Sequence, residues 1–207
     1  MSLRVLLADD HPYYRRGLAR SLRSRGIDVV GEAPNGEAAL RAVDEMAPDV
    51  VVMDLRMPGL SGLEATRRLT TRPEGPRVLV LSVSNDEDDV ADAVLAGACG
   101  YVLKESSVDE VDAGIRAAAA GGSYLSPAVT LPLLRRVRES VHPPSSRAAV
   151  HLTEHDRELL DMLARGKEDD EIALALGTSP TAVRGHASGI LTKLVRAAMR
   201  ASGGAGR

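Results

Sequence analysis

Five polar residues able to do chemistry stand directly behind, or at the end of, short apolar runs. Asp9 and Asp10 follow the run 3–8, Asp54 follows 50–53, Ser82 closes 78–82 and Lys104 follows 100–103. Three carboxylates brought to one place repel one another and raise each other's pKa. A hard divalent cation resolves that conflict. Oxygen donors without sulfur or a histidine cluster point to Mg²⁺, which accepts one or two carboxylates together with waters and phosphate oxygens. Lys104 is the only lysine in the first 126 residues, among 13 arginines. A compact ammonium on a flexible stem suits one phosphoryl oxygen better than a planar guanidinium does.

The elements that must position these residues are legible as alternating patterns. Apolar runs at 3–8, 27–32, 50–53, 78–82 and 100–103 read as strands. Helix patterns between and after them cover 12–25, 36–46, 62–71, 87–96 and 108–120. Nearly continuous apolar strands alternating with helices predict an α/β fold: a five-stranded, doubly wound parallel sheet covered on both faces. Ligands of such sheets bind at the carboxyl ends of the strands, at the topological switch point. For the common order 2-1-3-4-5 that point lies between the strands ending in Asp9-Asp10 and Asp54. The second strand ends in Gly31-Glu32 and adds nothing obvious, as expected of an edge.

Gly121-Gly122-Ser123 breaks the alternation. Residues 131–141 carry a further helix pattern, and His142-Pro143-Pro144-Ser145-Ser146 reads as a stiff polar linker. Thr153 is a candidate N-cap for a helix to about Ala164 that Gly166 ends. A short helix over 168–176 closes at Gly177. Ser179-Pro180 pairs an N-cap with proline at the first helical position, opening a helix to about Val195. Helix, short turn and helix form the supersecondary signature of a DNA-reading module. The expected organisation is 1–126 for the α/β domain, 127–150 for the linker, 151–200 for a small all-α helix-turn-helix domain and 201–207 for a disordered tail. No internal repeat is present.

Composition bounds the function. At 207 residues, 44% hydrophobic and 27% charged, the chain can bury a sizeable core. With no Phe, no Trp and four Tyr, that core must be aliphatic, and stacking of single-stranded bases on aromatics has little to work with. The lone Cys99 excludes an internal disulfide and a multi-cysteine zinc site, and reads as a small core residue. The apolar runs are too short for a transmembrane helix, and residues 1–8 do not make a signal peptide, so a cytoplasmic location without membrane contact is expected. Residues 1–126 carry a net charge of −6 and 127–150 of +3. The last block divides sharply: 151–176 is −5 and 177–207 is +5. A basic end is an electrostatic footprint for nucleic acid.

Leu6-Leu7-Ala8-Asp9-Asp10-His11-Pro12, Met53-Asp54-Leu55-Arg56-Met57-Pro58-Gly59 and Ala96-Gly97-Ala98-Cys99-Gly100-Tyr101-Val102-Leu103-Lys104 closely resemble the receiver domain of two-component response regulators. The resemblance covers residues 1–126. It implies that Asp54 is the phosphoacceptor, that Asp10 is a direct Mg²⁺ ligand and that Asp9 acts partly through water. It also makes the backbone carbonyl of Arg56 a metal ligand. Ser82 and Lys104 would bind the phosphoryl group, Tyr101 would change rotamer with Ser82 on activation, and His11 would not be a principal ligand. The donor would be a phosphohistidine on a sensor histidine kinase, and phosphorylation would promote a homodimer through the receiver. Such a chain is no conventional enzyme: it catalyses only its own phosphotransfer and dephosphorylation.

Leu152-Thr153, Glu171-Ile172-Ala173, Leu176, Ser179, Val183-Arg184-Gly185-His186 and Ile190-Leu191-Thr192-Lys193-Leu194 resemble the LuxR-type helix-turn-helix of NarL/FixJ regulators, over residues 151–194. The base-reading positions then fall on Arg184, Gly185 and Ser188, with Ser179, Thr181 and Lys193 as phosphate contacts on double-stranded DNA. Several residues depart from the family pattern. Glu168, Asp169 and Asp170 stand where basic or amide residues are usual, His155 for Arg, Ala182 for Thr, Gly189 for Asn and Val195 for Gly. Two small residues at reading positions leave few side chains for direct readout.

The leading expectation is therefore a phosphorylation-controlled transcription regulator. Its rival is a phosphorylation-dependent receiver whose atypical C-terminal domain binds a protein partner rather than DNA. A metal-dependent phosphatase would need a second acid two residues past the nucleophile, where this chain has Arg56.

Overall fold

The computed structural model describes residues 2–126, 129–130, 152–165 and 167–202. The expected helix over 131–141, the Pro/Ser-rich segment and Gly166 lie outside the described residues. Strands β1 (Arg4–Ala8), β2 (Asp28–Ala33), β3 (Val50–Met53), β4 (Arg77–Ser82), β5 (Gly100–Leu103) and β6 (Tyr124–Leu125) alternate, up to β5, with helices α1 (Pro12–Arg23), α2 (Gly36–Met46), α3 (Gly62–Thr70) and α4 (Glu87–Leu95); α5 (Val108–Ala119) joins β5 to β6. The sheet is wholly parallel, in the order β2-β1-β3-β4-β5-β6. The five expected strands and their order are present. The sixth is a departure. At two residues it is too short to show a period, and the Gly121-Gly122 break hides it in the sequence.

Strand residues alternate between the two faces. Val5, Leu7, Val50 and Val52 pack with Leu18 and Leu22 of α1 and Ile115 of α5. Leu6, Ala8, Val51 and Met53 pack with α2 and α3. Val80, Tyr101 and Leu103 pack with Val90 and Val94 of α4. The period of two in the strands thus feeds two aliphatic layers from one sheet. Local signals fix the helix starts: Asn35, Ser61, Asp86 and Ser107 each accept a backbone N–H from the first turn of the helix that follows.

The C-terminal module holds α6 (Glu154–Ala164), α7 (Asp169–Leu176) and α8 (Pro180–Ser202) around Leu159, Leu163, Ile172, Val183 and Ile190. Thr153 and Asp156 form a reciprocal capping box at the start of α6. Gly177, with φ of 63°, supplies the left-handed residue that ends α7 and turns the chain into α8. Helix α8 does not stop near Val195. It runs on to Ser202, so residues 201 and 202 belong to a helix and not to the tail expected there. With Val195 in the place of a glycine, and Ala197, Ala198 and Met199 beyond it, nothing in the sequence interrupts the helix. No helix among the described residues is long and apolar enough to cross a membrane.

Candidate functional site

The backbone ladder carries the chemical residues to one mouth. The N–H of Asp9 bonds the carbonyl of Ala33 (3.0 Å), that of Asp54 bonds Ala8 (2.8 Å) and that of Lys104 bonds Ser82 (2.8 Å). Each residue is thus held by the end of a neighbouring strand. Gly62 closes the loop behind Asp54 so tightly that a Cβ there would lie 1.7 Å from the Asp54 carbonyl oxygen. Only glycine fits this position without moving the β3 end.

Side-chain geometry completes the cluster. Lys104 Nζ lies 2.6 Å from Asp54 Oδ2 and 2.7 Å from Asp9 Oδ2. Asp54 Oδ1 accepts the Arg56 N–H at 3.2 Å, and Asp9 Oδ1 accepts the His11 N–H at 2.8 Å. Arg15 donates to the carbonyl of Asp9 and pairs with Glu32 at 3.1 Å. Burial pushes the Asp54 carboxyl above its ordinary value; Lys104 opposes that shift and Asp9 adds to it. Burial also works against the Lys104 ammonium, yet pairing with Asp54 and Asp9 holds its pKa above the ordinary one. Burial thus drives the first shift, and the two carboxylates the second.

Oxygens are left over for a metal. Carboxylate atoms of Asp9, Asp10 and Asp54 and a ring nitrogen of His11 all lie within 4.8 Å of one another. Asp9 Oδ2 and Asp10 Oδ1 are buried and accept no directed hydrogen bond, although Lys104 Nζ lies 2.7 Å from the first and His11 Nδ1 2.8 Å from the second. This donor set fits a hard divalent cation. The imidazole of His11 lies nearer the cluster than the sequence alone indicates.

Ser82 ends β4 and Tyr101 lies within the neighbouring β5, both fully buried. Ser82 Oγ accepts the Ser84 N–H at 3.2 Å, and the Tyr101 hydroxyl donates to the Ser84 carbonyl at 2.7 Å. Burial pushes the Tyr101 phenol up to about 12. Tyr101 packs beside Leu125 of β6, whose strand receives its register from the carbonyls of Cys99 and Tyr101. On the other side of β6 lies α8, which also packs against α4. The Leu125 N–H donates to Ser188 Oγ at 2.9 Å, and Ser188 Oγ donates to the Arg184 carbonyl at 2.8 Å.

The residues expected to meet DNA therefore divide. Ser179, Thr181, Gly185 and Lys193 are exposed, and the Ser179 hydroxyl caps α8 through the Ala182 N–H (3.2 Å). Arg184 is half-buried and pairs with Asp169 at 3.4 Å. Ser188 is a correction: at 1% exposure, with its hydroxyl on the edge of the sheet, it faces the α/β domain and not an open groove.

The pattern of a response regulator receiver domain matches residues 5–116, and that of the luxR family of bacterial regulatory proteins matches 150–198. The chain belongs to the two-component response regulators that join a receiver to a LuxR-type helix-turn-helix. It is 38% identical over 195 residues to the transcriptional regulatory protein LiaR of Bacillus subtilis, spanning 93% of this chain and 90% of the relative. To the nitrate/nitrite response regulator NarL of Escherichia coli it is 36% identical over 191 residues, spanning 92% and 88%. The crystal structure of the response regulator ChrA of a heme-sensing two-component system superposes with a TM-score of 0.56 at 34% identity, over 96% of this chain and 97% of that one.

Three contacts of this regulator escape sequence reading. Arg56 pairs with Asp89 of α4 at 3.0 Å, Arg184 with Asp169, and His186 Nε2 lies 2.6 Å from Asp156 Oδ1. Each joins residues 15 or more positions apart in the chain, beyond the reach of any local period. The charge alternation between 151–176 and 177–207 was the one available signal, and it names no partners.

Proposed function

We propose that Asp54 takes a phosphoryl group from a phosphohistidine of a sensor histidine kinase and that this event controls DNA binding by the C-terminal module. The observation that carries the reading is Asp54 at the end of β3, 2.6 Å from Lys104 and beside Asp9 and Asp10. An Asp54 carboxylate oxygen attacks phosphorus. The P–N bond breaks, its electron pair stays on the donor imidazole, and an acyl phosphate forms. Asp9, Asp10, Asp54 and the Arg56 carbonyl are the residues to hold Mg²⁺, which when bound neutralises charge on phosphoryl oxygens. Lys104 meets the charge on the opposite side. Water later cleaves the acyl phosphate, returning Asp54 to its carboxylate.

The new dianion draws the Ser82 hydroxyl from the Ser84 N–H, and the Ser84 loop holds the Tyr101 phenol. That shift reaches β6 through Tyr101 and Leu125, and so reaches Ser188 of α8. Release of α8 frees Arg184 for the major groove, with the already exposed Gly185 beside it and Ser179, Thr181 and Lys193 at phosphates. A homodimer of phosphorylated receivers then brings two modules to one duplex. The test is a mobility shift on duplex DNA with and without acetyl phosphate and Mg²⁺. Phosphate-dependent tightening supports the reading, and equal binding in both states counts against the coupling. A second reading rests on Leu174, 86% exposed on the acidic helix α7. That face suits a basic protein partner, and no shift on any duplex at low salt would favour it.

A further inference from the structure

Helix α7 opens with Asp169, Asp170 and Glu171 in its first turn. Of these, Asp169 is turned toward the recognition helix. Its Oδ2 lies 3.4 Å from Arg184 Nη1, and both side chains are largely covered, at 27% and 35% exposure. Asp170 and Glu171 are exposed. Across the same spot stands Tyr124 of β6, whose phenol burial pushes up, with Glu110 and Asp169 reinforcing the rise and Arg184 opposing it. The Arg184 guanidinium thus already has a carboxylate.

A guanidinium uses the same planar donors for a carboxylate, a phosphate or a guanine edge. The donor it gives to Asp169, Nη1, cannot serve DNA while the pair holds. From this geometry we infer that Asp169 sets affinity and specificity by competing with DNA for Arg184. The inference rests on the DNA-binding reading above and deepens it. A single phosphate oxygen offers Arg184 little more than Asp169 does. A guanine offers two acceptors in the fork geometry and outbids the carboxylate. The pair is therefore broken, at its full cost, at a site with guanine at the right place, and it weakens binding there more than binding to arbitrary sequence. In this chain an acid in the module thus limits the discrimination that Arg184 can supply, and the small Gly185 reads no base.

The test uses the full-length protein treated with acetyl phosphate and Mg²⁺, on two probes: a random-sequence duplex pool and a duplex selected from that pool by the unmodified protein. Fluorescence anisotropy reads the dissociation constants. Asp169→Asn keeps the shape and removes the charge; Asp169→Ser is a second variant with a good helix-start residue, and thermal melting checks both folds. Either should tighten binding to the selected duplex by about three- to fivefold, the range of a partly covered ion pair, and the random pool by less. Asp170→Asn removes the same charge from an exposed neighbour and should change binding by less than about twofold. In an Arg184→Ala background the Asp169 variants should lose their advantage over Asp170→Asn. Equal effects of the two aspartates, or an Asp169 effect that survives without Arg184, would overturn the inference while leaving DNA binding intact. Absence of binding to any duplex at about 50 mM salt would overturn both.

Discussion

Asp54 and Asp156 are both buried aspartates, one at the receiver mouth and one in the C-terminal module, and their surroundings treat them oppositely. Burial and a neighbouring carboxylate push Asp54 up, against the pull of Lys104. Asp156 is held below its ordinary value, first by the Thr153 N–H and then by His186 and the Thr153 hydroxyl, with burial opposing. Asp156 is an acid whose oxygens are matched by donors; its task ends with the start of α6. Asp54 sits among acids with oxygens to spare beside it. A carboxylate set among acids with unmatched oxygens is poised to gain a metal and a phosphoryl group; one matched by donors and set apart from other acids is poised to stay. The same contrast separates Lys104, shared between two acids, from Arg184, parked on one.

The comparison breaks most sharply at Asp54. Asp54→Asn should abolish labelling by acetyl phosphate with Mg²⁺, because the amide is no nucleophile and no other acid combines the β3 end with flanking carboxylates. Intact-mass spectrometry reads the outcome, and full labelling of the variant would remove Asp54 from its role. Lys104→Ala should lower the labelling rate by roughly 100-fold or more, as loss of one preorganised charge does elsewhere. Metal binding should persist, since the carboxylates remain. Collapse of metal affinity with normal labelling would reverse the two assignments.

A smaller effect tests the joint between the regions. Ser188→Ala removes the acceptor of the Leu125 N–H, a buried hydrogen bond worth about 1 kcal/mol. Docking of α8 on β6 should weaken, and the unphosphorylated protein should bind duplex DNA about fivefold more tightly, by the usual conversion. An unchanged dissociation constant in that state would show that the contact does not restrain the module.

How far the sequence carries differs between the regions in the same way. Asp9, Asp10, Asp54, Ser82 and Lys104 were legible because each follows an apolar strand, and a parallel sheet must deliver strand ends to one edge. Most helix boundaries fell within a residue or two of the pattern, since Asn35, Ser61, Ser107 and Thr153 announce them. What escaped was decided by packing between distant elements. Tyr124–Leu125 becomes a strand through β5, and α8 then closes against its far side. Ser188 carries no mark in the sequence that distinguishes a groove-facing hydroxyl from one that faces a sheet edge. The length of α8 was misjudged because Val195 and the alanines after it do permit a helix, while the glycine-rich end drew the boundary too early.

The smallest effect belongs to Asp156 and sets the other limit of the comparison. Its Oδ2 accepts the Thr153 N–H at 2.9 Å, its own N–H donates to Thr153 Oγ at 3.1 Å, and its Oδ1 meets His186 Nε2 at 2.6 Å. Because the folded pKa is lowered from 3.8, the ionised carboxylate stabilises the module at pH above that value. The contribution is lost as pH falls below 3.8 and through the lowered folded value. Asp156→Asn should cost about 1 kcal/mol at neutral pH, the usual worth of a helix cap, and should flatten the acid dependence. Hydrogen exchange of the α6 amides reads this region by itself, which a global melt of a two-domain chain does not. Exchange in the wild type should accelerate as pH falls below about 3.8 and through the lowered folded value, the window in which this carboxylate takes up its proton. The variant, corrected for intrinsic rates, should exchange faster at the upper end and show little further change. An acid-induced acceleration of equal size in both proteins would place the titrating group elsewhere, and Asp156 would then lose its standing as the satisfied counterpart of Asp54.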